Sequence, residues 1–284
     1  MPADASPHPR HLRPGRRIGS VTRGTTNTNR LRRVDRWISV QPALLHAVDP
    51  LVVDLGYGAS GVTALELASR LAHVRPDVRV LGLEIEPERV RKAEEQLARV
   101  RAGEAHFDSA LDVSFAVGGF EVPTPGDMRP AVIRAFNVLR QYDEAEVAGA
   151  WRLMTSRLAP GGLLVEGTCD ELGRVSSWVG LGASGPRTFT VSLRRSGLER
   201  PSIVAERLPK ALIHRNGPGE RIHELLGALD RAWQVHAPMA VYGPSQRWVA
   251  TSASLRHEGW PVVGGPRRAR LGELTVPWSA VAPA

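Results

Sequence analysis

Leu51-Val52-Val53-Asp54-Leu55-Gly56-Tyr57-Gly58-Ala59-Ser60-Gly61 is the stretch that decides how this chain folds. Leu51 to Val53 is a short apolar, β-branched run and reads as a buried strand. Three glycines at spacings of two and three interrupt it, and a run with helical period follows through Val62, Leu65, Ala68 and Leu71. Strand, glycine turn and helix in that order set a helix N-terminus against whatever lies at the strand end. The glycines admit a ligand close to the backbone, and the first helical amides can donate to it. A second apolar run, Val78 to Leu83, ends in Glu84. A carboxylate at the end of the second strand of such a unit is placed to grip a ribose diol. The unit predicts a nucleotide-type cofactor site.

The spacing Gly56-x-Gly58-x-x-Gly61 also satisfies the dinucleotide fingerprint, so a NAD(P)-dependent or flavin oxidoreductase stays open on these residues alone. Asp54, two residues before the first glycine, argues the other way. Asp54-x-Gly56-x-Gly58 resembles motif I of the class I S-adenosylmethionine-dependent methyltransferases, with Glu84 as the acidic motif II residue. Leu158-Ala159-Pro160-Gly161-Gly162-Leu163-Leu164 is similar to the turn into strand five of the same family, and dinucleotide folds lack it there. A carboxylate beside the glycine turn suits the cationic amino and sulfonium groups of S-adenosylmethionine and repels a pyrophosphate.

The resemblance implies a Rossmann-like α/β fold, a seven-stranded, mostly parallel sheet with helices on both faces. It implies S-adenosyl-L-methionine as cofactor, held by Asp54, Gly56, Gly58 and Ser60 at the glycine turn and by Glu84 on the ribose. The third strand, Val113 to Val122, is broken by Gly118-Gly119, and Gly119 stands where the family often puts a polar side chain against the adenine. Adenine contacts are then expected from backbone near Phe120. A segment before motif I often closes over the methionine end in this family, which makes Arg30 the candidate partner for the methionine carboxylate.

Chemistry in the resembled family sits at the exit of the fourth strand, here Ala131 to Leu139. Enzymes acting on exocyclic amines or amides carry an Asn/Asp-Pro-Pro-aromatic there. This chain has Arg134-Ala135-Phe136-Asn137, which disfavours amino-adenine and glutamine as acceptors. Asn137, Arg140 and Tyr142 remain as polar groups that could orient a substrate. Asp143 with Glu146 makes a capping box for a helix running to Leu158, and strand five follows as Leu163 to Gly167. Thr168-Cys169 resembles the nucleophile motif of RNA 5-methylcytosine methyltransferases, whose thiolate adds to the pyrimidine. The Asp-x-Pro-Cys that accompanies it in those enzymes is absent, and a buried cysteine acting as a small hydrophobe is the competing reading.

Arg187 to Leu193 reads as strand six and Ile203 to Ile213 as holding the last strand, the pair forming an antiparallel edge. Helices are expected at Glu220–His236 and Ser245–His257, and a tail from Gly259 onward. The chain thus divides into a basic arm and capping helix (1–50), a cofactor-binding methyltransferase domain (51–213) and a C-terminal helical extension and tail (214–284).

The net charge of +8 is unevenly placed. Residues 1–40 hold nine arginines, no lysine and two aspartates, and so carry +7 of it. Residues 10–36 could therefore bind nucleic acid through phosphates, although Trp37 is the only aromatic nearby. Since 35 of the 37 basic residues are arginine, a general compositional bias accounts for the arm equally well. Met1 to about Gly19, with four prolines, is expected to be loosely held. The single cysteine excludes an internal disulfide framework, the histidines show no ligand spacing, and no metal is expected. No apolar run approaches membrane-spanning length, so a cytoplasmic protein is the expectation. The functional expectation is methyl transfer to a small molecule or protein. The alternatives are an RNA methyltransferase using the basic arm, an oxidoreductase, or a non-catalytic cofactor-binding protein. The sequence is silent on oligomeric state.

Overall fold

The computed structural model describes residues 17–22 and 24–283. The expectations for residues 1–16 and for Arg23, which together hold four of the basic arm's nine arginines, fall outside them. Helices α1 (Arg32–Ile38) and α2 (Pro42–Leu45) lead into strand β1 (Leu51–Leu55). There follow α3 (Val62–Ala72), β2 (Arg79–Glu84), α4 (Pro87–Arg101), β3 (Val113–Val117), β4 (Val132–Phe136), α5 (Glu144–Ser156) and β5 (Leu163–Cys169). The chain continues through β6 (Val175–Gly182), β7 (Gly185–Leu193), α6 (Lys210–Ile213), α7 (Arg221–Val235), α8 (Pro244–His257), α9 (Pro266–Ala269) and β8 (Glu273–Pro277).

The strands form one sheet in the order β3-β2-β1-β4-β5-β6-β7-β8. The first five run parallel and the last three are antiparallel. Strands β1 and β4 are buried along their whole length, which is why they read as near-continuous apolar runs, each broken by one charge, Asp54 and Arg134. One face of the sheet is covered by α1, α3 and α4, the other by α5, α7 and α8. This is the Rossmann-like α/β arrangement implied by the resemblance. The chain leaves β1 towards β2 and β3, then returns to β4 and β5 on the other side. The crevice at the carboxyl ends of β1 and β4 is therefore where such a sheet takes its ligand.

Helix and strand positions from β1 to β5 agree with the sequence expectation, including α4 from Pro87 to Arg101 and the capping box of Asp143 and Glu146 at α5, except that the third strand ends at Val117, before Gly118-Gly119, rather than at Val122. Beyond β5 the structure corrects it. The sheet has eight strands rather than seven. Ile203–Ile213 is not a strand. It is a 3-10 turn over Pro201–Arg207 followed by α6, each opened by a proline, which donates no ladder hydrogen bond. The antiparallel end of the sheet is built instead from β6, which was not foreseen, β7 and β8. Residues from Gly259 onward are not a loose tail, since β8 pairs with β7 from Thr188↔Pro277 to Ser192↔Glu273.

Candidate functional site

Gly56 and Gly58 take positive φ, +71° and +90°, and carry the chain from β1 into α3. At Gly58 a Cβ would stand 2.5 Å from Thr26 Oγ1 and 2.9 Å from the Gly24 carbonyl, so only glycine fits beneath the N-terminal segment. Glu84, at the end of β2, is 2% exposed. Its Oε2 accepts from the Gly58 amide at 3.0 Å and its Oε1 from the Ile85 amide at 2.9 Å. The Ala59 amide donates to the Gly24 carbonyl at 2.8 Å and to Thr26 Oγ1 at 3.2 Å. Two amides of the glycine turn, at Gly58 and Ala59, are thus already taken, the first of them by a carboxylate. Ser60 lies in the same turn but lines neither of the two cavities at these strand ends.

Asp54 is where the resemblance puts it, but it is not a free carboxylate. Its Oδ1 accepts from Arg134 Nε at 3.0 Å, and its Oδ2 from Arg134 Nη2 at 2.6 Å and Thr63 Oγ1 at 2.9 Å. Arg134, fully buried in β4, also donates to Asp35 of α1, whose other oxygen receives Arg70 Nη1 at 2.5 Å. Burial alone would lower the Arg134 pKa, but Asp35 and Asp54 hold it above its ordinary value. Arg134 neutralises Asp54, so this carboxylate does not repel a pyrophosphate as the sequence suggests. Arg134 received no role from the sequence, and no local signal marks it. Its carboxylate partners lie eighty and ninety-nine residues away along the chain.

The segment before α1 crosses the crevice as a strap. The Ile18 carbonyl accepts from the Phe120 amide at 2.8 Å, and the Ile18 amide donates to Glu121 Oε2 at 2.8 Å. The Ser20 amide donates to the Tyr142 hydroxyl, whose ring packs on Phe120 at 5.2 Å between centroids. The Thr22 carbonyl accepts from Arg89 Nη2 at 2.7 Å. Between the strap and the strand ends, a cavity of about 20 Å³ is lined by Gly56, Glu84, Gly119, Phe120 and Tyr142. That is room for about one water. The residues expected to hold adenine and ribose are therefore gathered in one place, beneath the strap.

Beside them opens a polar cavity of about 520 Å³. Asp54, Gly56 and Gly58 line it on one side, and Arg30, Asn137, Arg140 and Arg207 on others. Arg30 donates only to backbone carbonyls and one hydroxyl, with Nε to Asp170 O at 3.0 Å and Nη1 to Thr25 O at 2.7 Å, and its charge meets no carboxylate in these bonds. Asn137, at φ +60°, accepts the Cys169 amide on Oδ1 at 3.0 Å and donates Nδ2 to Cys169 Sγ at 3.4 Å. Cys169 is fully buried, and burial pushes its thiol up from the ordinary value. It does not line the cavity, so the structure supports the small-hydrophobe reading over the nucleophile. Tyr142 holds the strap and faces the small cavity rather than the large one. Arg207 was missed because its stretch reads as a strand. Among the described residues no group of three or more His, Cys, Asp or Glu could hold a metal ion.

No protein-family model matches the chain, and no curated protein matches it. Solved structures do. The magnesium protoporphyrin IX methyltransferase of Synechocystis PCC 6803, with S-adenosylhomocysteine bound, is 16% identical over 50% of this chain and 55% of its own, at a TM-score of 0.36. The CcbJ methyltransferase of Streptomyces caelestis is 20% identical over 56% of this chain and 74% of its own, at 0.35. An O-methyltransferase family 2 protein of Planctomyces limnophilus DSM 3776, in complex with apigenin, is 19% identical over 51% and 42%, at 0.36. All three are methyltransferases. The chain spans about half the length of the first three such structures, at 55%, 50% and 58%. Overlaps this partial and distant carry no argument on activity, which must come from the pocket's own residues.

Proposed function

We propose that this chain is an S-adenosylmethionine-dependent methyltransferase acting on a small molecule. The observation that carries the reading is the occupancy of two glycine-turn amides, those of Gly58 and Ala59. A dinucleotide rests its pyrophosphate on the amides of this turn. Here the Gly58 amide is bound by the Glu84 carboxylate and the Ala59 amide by the strap, so a pyrophosphate would meet a negative charge and find both of these donors engaged. S-adenosylmethionine needs neither amide for a phosphate. Glu84 has accepting capacity left for a ribose diol, and Arg30 is placed for the methionine carboxylate across the polar cavity. The N-terminal flank of the central domain contributes to this site through the strap and Arg30.

When bound, the cofactor supplies an electrophilic methyl group on a cationic sulfonium. The chain's own part is to hold the two reactants in line and to exclude water, which can account for most of the rate enhancement without a dedicated base. The test is calorimetric titration with S-adenosylhomocysteine, NAD and NADP on wild type and Glu84→Ala. Binding of S-adenosylhomocysteine that weakens at least about tenfold in the variant, about 1.4 kcal/mol, is the expected result. Binding of NAD or NADP instead would make the protein an oxidoreductase.

A further inference from the structure

The polar cavity holds more positive charge than the proposed cofactor can use. Arg140 stands in the 3-10 turn Leu139–Gln141 after β4, and its Nη1 is buried without a hydrogen-bond partner. Arg207 closes the 3-10 turn Pro201–Arg207 and faces the same cavity. Among the described residues neither guanidinium meets a carboxylate or donates a hydrogen bond. Arg207 is nevertheless held firmly in place. Its carbonyl accepts from Thr168 Oγ1 of β5 and from Ser177 Oγ of β6, both at 2.5 Å and both residues fully buried. Burial lowers the Arg140 pKa, and the charge of Arg207 lowers it further, as expected of two cations facing each other without an anion between them.

Among the described residues the cavity has no buried, free base. Asp54 is paired with Arg134, the other carboxylate on the wall, Glu171, is exposed to solvent, and no described histidine or lysine lines it. The Tyr57 hydroxyl is held protonated, its pKa raised by burial. An alcohol or ammonium acceptor would have to lose its proton with no buried base among the described residues to take it. A carboxylate arrives deprotonated and matches the fork of a guanidinium.

We infer that the acceptor is an organic carboxylate, clamped by Arg140 and Arg207 and converted to its methyl ester. This rests on the methyltransferase reading. One carboxylate oxygen forms the new bond to the methyl carbon while the carbon–sulfur bond breaks, its electron pair staying on sulfur. A carboxylate and a sulfonium become a neutral ester and a neutral thioether, and no proton changes hands.

The probes are benzoate, cinnamate and octanoate, each against its amide, with phenyl phosphate as a second anion. They are titrated calorimetrically into the wild-type protein, into Arg140→Gln and into Arg207→Gln, with and without S-adenosylhomocysteine. At least one acid is expected to bind ten times more tightly than its amide, and either substitution removes that preference. S-adenosylhomocysteine affinity and the melting temperature stay as in wild type, and Arg140→Lys restores part of the preference. With labelled S-adenosylmethionine, the product of the best acid releases methanol in alkali.

Acids and amides that bind alike, or not at all, overturn the inference. So does a base-stable methylated product, and so does phenyl phosphate bound in preference to every carboxylate. Failure of S-adenosylhomocysteine to bind would sink the methyltransferase reading separately, because the preference for anions is also measured without it.

Discussion

Among the described residues neither carboxylate oxygen of Glu166 makes a hydrogen bond of normal geometry, although the residue lies fully buried in the middle of β5. Desolvation pushes its pKa up to about 8, opposed by the Trp151 indole. A carboxyl whose folded pKa is raised stabilises the fold most at pH values below its unfolded pKa. That contribution is lost as pH climbs towards the folded value, because the unfolded chain gives up the proton first. Between about pH 4.5 and 8 the group should thus cost up to about 1.4 kcal/mol of stability per pH unit. Urea unfolding of Glu166→Gln across this range should show the variant gaining on wild type as pH rises, by about 3 kcal/mol near neutrality. Parallel curves for the two proteins would mean that Glu166 is paired or hydrated in solution. No pattern in Leu163-Leu164-Val165-Glu166-Gly167 announces this, since one charge in a short apolar strand reads equally well as a surface position.

At the level of elements, the strap is the part that sets access to the site. Its Ile18 carbonyl takes the Phe120 amide, the backbone donor expected for adenine, and leaves about 20 Å³ where a nucleoside must lie. Cofactor binding then requires the strap to shift. The free energy of that shift is subtracted from the observed affinity, as for any ligand whose competent state is a minor one. A variant beginning at Gly24 keeps Thr26 and Arg30 and removes the blocking residues. It should bind S-adenosylhomocysteine about five times more tightly or better, measured by calorimetry. Weaker binding would show that residues before Gly24 hold the nucleoside rather than displace it. The helices and parallel strands around this site were legible because their signals are local: glycine spacing, apolar period and caps. The strap was not. Residues 17–22 carry no period, and their hydrogen bonds reach sixty-seven to a hundred and twenty-two residues along the chain.

Across the whole molecule, the sheet is closed by the end of the chain. Strand β8 covers the edge of β7, and the Glu273 carbonyl accepts from the Trp248 indole at 3.1 Å, tying the last strand to α8. Leu274, Val276 and Val281 are 2%, 0% and 1% exposed and belong to the same core as α7 and α8. Proline and glycine frequency made this region read as a tail, because the strand is only five residues long and pairs with a partner some eighty residues earlier. Each such side chain contributes about 1.5–3 kcal/mol on burial, so the three together approach the whole stability of an ordinary domain. Truncation after Gly264 should therefore yield insoluble or unfolded protein, with β7 left as an open edge. Leu274→Ala, a milder change, should cost about 2–5 kcal/mol in urea unfolding while S-adenosylhomocysteine still binds at saturating concentration. A truncated protein that melted like the full chain would show that β8 docks without supporting the sheet. Should the truncation fail and Leu274→Ala destabilise as expected, the last strand belongs to the folding unit that presents the crevice, even though none of its residues faces the ligand.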